Sequence, residues 1–443
     1  MTDARVGTDA KDTPAAGSST ESAAALGRYR TGLRKQRLVY FSVVGAIVVA
    51  LVVTVAVAWS RGEVANTTLH TVGKAPSNLA IATPTAGAQR AWSTPDRAAL
   101  GNPRDGGTVV VWGRHTVRGV DARTGRQTWS YSRSNRTVCA ALQSAGTTVA
   151  VYRVKGNCDE LTALSSGTGN RQWTRTLDQD GQPINGTPSF QMLSYTMLVT
   201  TSSFVYAIDP GSGINRWTYG RFGCTIHSAV LGSAGALISQ TCTDPRCGAL
   251  KFCGRGPQLL LRNGTDGVDD KTKNPTNYDK ILWNRIGITD VPVSADGVVS
   301  ALNPSSGSLD LFTADKGRLN GAVTLSPRPG TTGAITSASA AGPEIATVRG
   351  VAAVVNGSAG RAVWSRSVTA PLTAVPSVDS ADLTLSDAVV TVPTSTGAAV
   401  LEGLTGRTVH RITLSPRPAS GSSIYPLGSG QLVVGPSGTA AYR

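Results

Sequence analysis

One pattern recurs through most of this chain. A short apolar strand ends in a turn that closes on glycine, and a second strand follows with a tryptophan four residues after that glycine. The first well-formed copy runs Val120-Asp121-Ala122-Arg123-Thr124-Gly125-Arg126-Gln127-Thr128-Trp129. Gly169 precedes Trp173, Gly213 precedes Trp217 and Gly360 precedes Trp364 in the same way. His410 holds that place after Gly406, and Gly321 after Gly317. With Gly267 included, the turn glycines are spaced by 44, 44, 54, 50, 43 and 46 residues, and residues 268–280 read as an insertion before Trp283.

A unit of about 45 residues with four short strands is the signature of a propeller blade. Composition agrees: aromatics are 5% of the 443 residues, while Gly (50) and Pro (23) are plentiful, which suits short strands and tight turns. Short apolar runs such as Thr108–Trp112, Thr148–Tyr152 and Val298–Leu302 read as the strands. Turns of the form Ser144-Ala145-Gly146 separate strand A from strand B, and the repeat glycine separates C from D. The last segment, 424–443, supplies A, B and C without D. Residues 87–93 look like a D strand with nothing before it. The expected fold is therefore all-β, an eight-bladed propeller over residues 86–443, closed by the N-terminal strand at 87–93 so that no sheet edge stays open. Seven blades is the alternative, because the unit at Gly317 and the last unit are degenerate.

Residues 1–37 are expected to be a disordered tail, ending in a basic run of Arg28, Arg30, Arg34, Lys35 and Arg37. Leu38 to Trp59 is uncharged and apolar, and at about 1.5 Å per residue its 22 residues span roughly 33 Å, enough for a bilayer core of about 30 Å. It is expected to be a single transmembrane signal-anchor, with the basic side cytoplasmic and the rest outside the cell membrane. Ala56-Val57-Ala58 would be the cleavage site if the segment were a signal peptide instead. Residues 60–85 read as a linker. The formal charge of +15 suits anionic partners, and the exported position disfavours nucleic acid.

The Ala-x-Asp-x-x-Thr-Gly-x-x-x-Trp pattern resembles the quinoprotein, or PQQ-like, β-propeller repeat; Tyr206-Ala207-Ile208-Asp209-Pro210-Gly211-Ser212-Gly213-Ile214-Asn215-Arg216-Trp217 is its best copy. The resemblance covers residues 86–443 and implies structural roles for the Gly and Trp. Its PQQ-dependent dehydrogenases carry vicinal cysteines and, in some, a Cys-x-x-Cys-His haem motif; neither is in this sequence. No PQQ, other cofactor or metal is expected. Non-catalytic relatives include the lipoprotein scaffold of outer-membrane β-barrel assembly and extracytoplasmic sensor propellers, and the architecture is similar to anchored envelope propellers of mycolic-acid-containing bacteria. The reading is a non-enzymatic bacterial envelope scaffold or sensor for a protein or an anionic glycolipid. The alternative is a quinoprotein-like oxidoreductase, or another enzyme with its site in the propeller funnel. Oligomeric state is left open.

The six cysteines lie between 139 and 253, and an even count fits disulfides in an oxidising compartment. Equivalent places in blades 2 and 4 pair Cys139 with Cys158 and Cys224 with Cys242, leaving Cys247 and Cys253 to close a small loop. A metal site on Cys242, Cys247 and Cys253 is the alternative, though the spacing fits no common zinc pattern. His70, His115, His227 and His410 stand in no recognisable catalytic motif. Asp269-Asp270 reads as a solvated pair. Loops B–C and D–A share one propeller face, and loops A–B and C–D the other. The expected partner surface is the B–C/D–A face, on Arg153 and Lys155 of blade 2 and on Arg246, Lys251, Phe252 and Arg255 of blade 4. The linker is expected to enter at the C–D face.

Overall fold

The computed structural model describes residues 40–55 and 62–443, except 80–85, 102–103, 180–181, 185–186, 194, 233, 244–254, 263–280, 296–298, 314–316, 326–334, 339–343, 349–350, 357–359, 368–388 and 403–404. The chain divides into two compact units, Met1–Asn66 and Thr67–Arg443. In the first, residues 40–55 are helical with every described side chain exposed, and a short helix, Glu63–Asn66, follows. Both ends of the expected span at 38–59 lie outside the described residues. Among the described residues, no helix is long and apolar enough to cross a membrane.

The second unit is all-β. Its strands form antiparallel meanders, seen most regularly in Ser189–Leu193, Thr196–Thr200, Val205–Ile208 and Asn215–Tyr219, which pair in sequence order. Three further four-stranded sheets begin at Cys224, Val291 and Ile335. Middle strands such as Thr196–Thr200 are buried along their whole length. The reason lies between the sheets: one apolar cluster joins Leu142, Val149 and Leu161 of one sheet to Met197, Val199 and Ile208 of the next. A strand covered on both faces needs a continuous apolar run rather than alternation.

The repeat glycines and tryptophans make the seams. Gly125, Gly169, Gly213, Gly317, Gly360 and Gly406 all have φ between 58° and 76°, the left-handed region that glycine enters without steric cost. Each seam crosses to the next blade. A Cβ on Gly125 would stand 2.6 Å from Trp92 Cγ, one on Gly169 2.7 Å from Trp129 Cγ, and one on Gly213 2.7 Å from Trp173 Cδ2. The indole N–H groups donate in register to carbonyls three residues before those glycines: Trp92 to Ala122 (3.1 Å), Trp129 to Ser166 (2.7 Å) and Trp173 to Pro210 (2.8 Å). Gly321 replaces the tryptophan at one seam, where backbone meets backbone: a Cβ on Gly321 would lie 2.7 Å from Gly360 O.

The N-terminal strand closes the last sheet. Gly87–Thr94 pairs antiparallel with Gly438–Tyr442, from Arg90↔Tyr442 to Thr94↔Thr439, and its first three residues pair parallel with Thr413–Ser415. The stretch expected to be a linker is only partly one. Thr67–His70 is a strand on the outer edge of the first blade, running from Thr67↔Arg133 to His70↔Ser130. Val72 N then donates to Thr168 O (3.1 Å), and Leu79 packs beside Val109 and Val111. Arg133 ends its D strand, so the chain first joins this unit on the B–C/D–A face, opposite to the expected C–D face. That expectation took Gly87 as the point of entry; the edge of strand Gln127–Arg133, with its open N–H and C=O groups, captures the chain earlier.

Candidate functional site on the stapled loop face

In blade 2, strands A, B and C are Thr137–Ser144, Thr147–Val154 and Asn157–Ser165. Val154↔Asn157 closes a two-residue hairpin on Lys155 (φ 49°) and Gly156 (φ 98°). Two successive left-handed residues make the tight turn that matches strand twist, and a lysine in the first place is held in a conformation that glycine or asparagine would take more readily. Bulges flank this end of strand B on both sides, between Val151 and Tyr152 against strand A and between Tyr152 and Arg153 against strand C. Strands A and C are ordinarily two spacings of about 4.8 Å apart. Here Cys139 and Cys158 stand at a Cα–Cα distance of 6.1 Å and form a disulfide that bridges across strand B. Arg153, exposed, is the register partner of Cys158 and lies 3.8 Å from its Sγ through Nη2.

Beneath this hairpin is a buried charged cluster. Arg133 Nη1 donates to Glu160 Oε1 (2.6 Å), and Arg136 Nε approaches Glu160 Oε2 (3.4 Å). The Arg133 guanidinium lies 5.8 Å from the Tyr152 ring centroid, and Tyr131 meets Tyr152 edge-on at 6.1 Å. Burial, reinforced by Tyr131, pushes the Tyr152 hydroxyl well above its ordinary pKa. Burial also raises the Asp159 carboxyl, aided by the charge on Glu160. A buried carboxylate is stable when paired and hydrogen-bonded, and Glu160 has both. His115 Nδ1 bonds to the Arg136 carbonyl and so helps to fix this loop.

Blade 4 carries the second staple, and it is of a different kind. Cys224 and Cys242 are directly opposed on neighbouring strands A and B and are joined by a disulfide. The two staples are therefore not equivalent, contrary to the expectation from the repeat: one spans three strands and the other two. Just before Cys224, Phe222 is 79% exposed between Arg221 and Gly223. Arg255 is exposed. Arg246, Lys251, Phe252, Cys247 and Cys253 lie outside the described residues, as does Asp269-Asp270. His227 Nε2 lies 2.7 Å from Thr241 Oγ1 at the surface, and His410 Nε2 is buried without a hydrogen-bond partner among the described residues.

The described parts of the expected surface thus include Arg153, Lys155 and Arg255, and the structure adds Arg114 and Phe222 as exposed residues of the same face. Phe222 carries a local signal, an aromatic set between Gly220 and Gly223 immediately before a cysteine. Arg133 and Glu160 carry none, since they meet only when two blades pack. A separate pair of carboxyls joins Asp290, buried just before strand Val291–Ala295, to the half-buried Asp310 of strand Ser308–Phe312. No group of three or more metal-ligating side chains occurs among the described residues.

Residues 56–223 match the family model described as outer membrane protein assembly factor BamB. These are PQQ-like β-propeller repeats. Among solved structures, the chain is similar to a computationally designed protein, Ika8, at 12% identity over 80% of this chain and 98% of that one, with a TM-score of 0.52. It is also similar to BamB from Moraxella catarrhalis at 14% identity, covering 85% and 99% with a TM-score of 0.44. A quinohemoprotein alcohol dehydrogenase from Pseudomonas putida is similar at 12% identity over 81% and 75%, with a TM-score of 0.43. No curated protein matches the chain.

Proposed function

We propose that this protein is a membrane-anchored, extracytoplasmic scaffold or sensor that binds an envelope protein or an anionic glycolipid through the stapled loop face of an eight-bladed propeller, without catalysing a reaction. The observation that carries the reading is the construction of that face. A disulfide across three strands and a left-handed Lys155 hold two exposed cations in place. Below them the buried Arg133 pairs with Glu160, and the half-buried Arg136 approaches the same carboxylate. Ordering a loop in advance lowers the entropy that a binding partner must offset.

Seven turn glycines in the sequence, plus the composite sheet of Gly87–Thr94 and Gly438–Tyr442, support the count of eight blades. The uncharged helix at 40–55, with exposed apolar side chains behind a basic run, supports the anchor. Two disulfides support an oxidising location. The matching model's description, an assembly factor, supports a scaffold over an enzyme. No cofactor is part of this reading, and a clear thermal stabilisation by PQQ with Ca²⁺ would speak against it.

A photo-crosslinker at Asn157 in intact cells tests the partner surface. Arg153→Glu with Lys155→Glu is expected to abolish the crosslink without changing Tm, since both side chains are exposed. An unchanged crosslink would remove this face from the proposal.

A further inference from the structure

The opposite face of the propeller carries a repeated arrangement of its own. Four C–D turns place an arginine immediately after the turn glycine: Arg126, Arg318, Arg361 and Arg407. All four are exposed, and Arg407 is 75% so. Two acids of these turns, Asp121 and Glu402, are committed to the backbone or to a neighbour. Asp121 Oδ1 accepts from the N–H groups of Arg123 and Thr124, both at 2.9 Å. Glu402 accepts from Thr405 Oγ1 and stands 3.5 Å from Arg407. Arg126, Arg318 and Arg361 make no ion pair among the described residues. Among the described residues of these turns, the arginines outnumber the acids.

Aliphatic side chains accompany the arginines. Leu319 (49% exposed), Val363 (37%) and Val409 (58%) follow Arg318, Arg361 and Arg407 within two residues, and Ile214 (67%) follows Gly213. In strand Arg361–Ser367, alternation puts Arg361 and Val363 outward while Ala362 and Trp364 turn inward. In strand Thr408–Ser415, Val409 and Arg411 face outward together. All C–D turns of a propeller lie on one face, so these pairs are presented to the same side.

We propose that this C–D rim binds anionic lipid, with the arginines on headgroup phosphates and the aliphatic side chains at the boundary of the acyl region. A cation with an adjacent apolar side chain, repeated on one face, is the chemistry of an anionic lipid interface. A wholly polar polyanion would engage the arginines and leave Leu319, Val363 and Val409 in water.

The test uses the full chain held in phosphatidylcholine nanodiscs and immobilised vesicles with or without phosphatidylglycerol. Capture is expected only on the phosphatidylglycerol vesicles. Changing Arg126, Arg318, Arg361 and Arg407 to Gln should weaken it by roughly fivefold per arginine and flatten its salt dependence. Val363→Ser with Val409→Ser, both at exposed positions, should weaken the capture that persists at high salt. The control changes Arg114, Arg153, Lys155 and Arg255 to Gln on the stapled face and should leave capture unchanged. Loss of capture in that control alone, or equal capture by the rim variant and the native chain, overturns the proposal. Inorganic polyphosphate beads that capture the native chain and the valine variant as well as the vesicles do would overturn the lipid assignment.

Discussion

Asp290 is 3% exposed, and its Oδ2 has no hydrogen-bond partner among the described residues. Burial, then the charge of Asp310 and a hydrogen bond with it, push the Asp290 carboxyl up to about 7, against the opposing pull of Arg285. Two carboxyls this close hold one proton between them. An unfolded aspartate titrates near 3.9. Between that value and about 7 the folded chain binds a proton that the unfolded chain has released, so the contribution of this pair to stability is greatest below pH 4 and falls as pH rises toward 7. Asp290→Asn keeps a hydrogen-bond donor for Asp310 and removes the titration. It should raise Tm at pH 8 and make little difference at pH 4.5, as differential scanning fluorimetry at the two values would show. Equal Tm gains at both would mean that packing, not the shared proton, is responsible.

At the scale of strands, the two staples do different work. Each closes a loop of similar size, with separations of 19 and 18 residues, so removing either should cost about 3 kcal/mol in urea unfolding. Cys224 and Cys242 are already register partners in a ladder, so Cys224→Ser with Cys242→Ser should change stability and little else. Cys139 and Cys158 hold together strands that are not neighbours. Cys139→Ser with Cys158→Ser should also loosen the Lys155 hairpin, seen as faster amide exchange at residues 153–158. The repeat was legible because its signal is local: a left-handed glycine and an indole four residues on depend on no distant partner. The pairings Cys139–Cys158 and Cys224–Cys242 could be read from the same repeat, but not their unlike geometry, which comes from the bulges at Val151 and Tyr152. Thr67–His70 was hidden because a four-residue strand with three exposed side chains has almost no pattern to read. The Arg133–Glu160 pair was hidden because it joins two blades.

For the whole molecule, the closing ladder matters most. Gln89 N donates to Arg443 O (2.7 Å), and Arg443 N returns a bond to Gln89 O (2.8 Å). Gln89→Pro removes that donor beside the parallel pairing to Ser415 and should cost about 1–3 kcal/mol. It should also expose sheet edges that pair between molecules, seen as earlier-eluting species in size-exclusion chromatography. A variant that stays monomeric with native Tm would show that the ring does not depend on this strand. The seam between Gly321 and Gly360, with backbone in place of an indole, is a second place where less apolar surface joins neighbouring sheets.

The closing strand also sets an order of events in synthesis. Thr439 Oγ1 bonds to the carbonyl of Asp96, 343 residues earlier in the chain. Residues 87–94 leave the ribosome early and wait for partners that emerge among the last. Each middle sheet is built from consecutive strands and is free to form as it appears, while the final sheet has to wait for the far end of the chain. Until then the early strand is an unpaired edge in need of shelter, and the time spent in that state grows with every residue between its two halves.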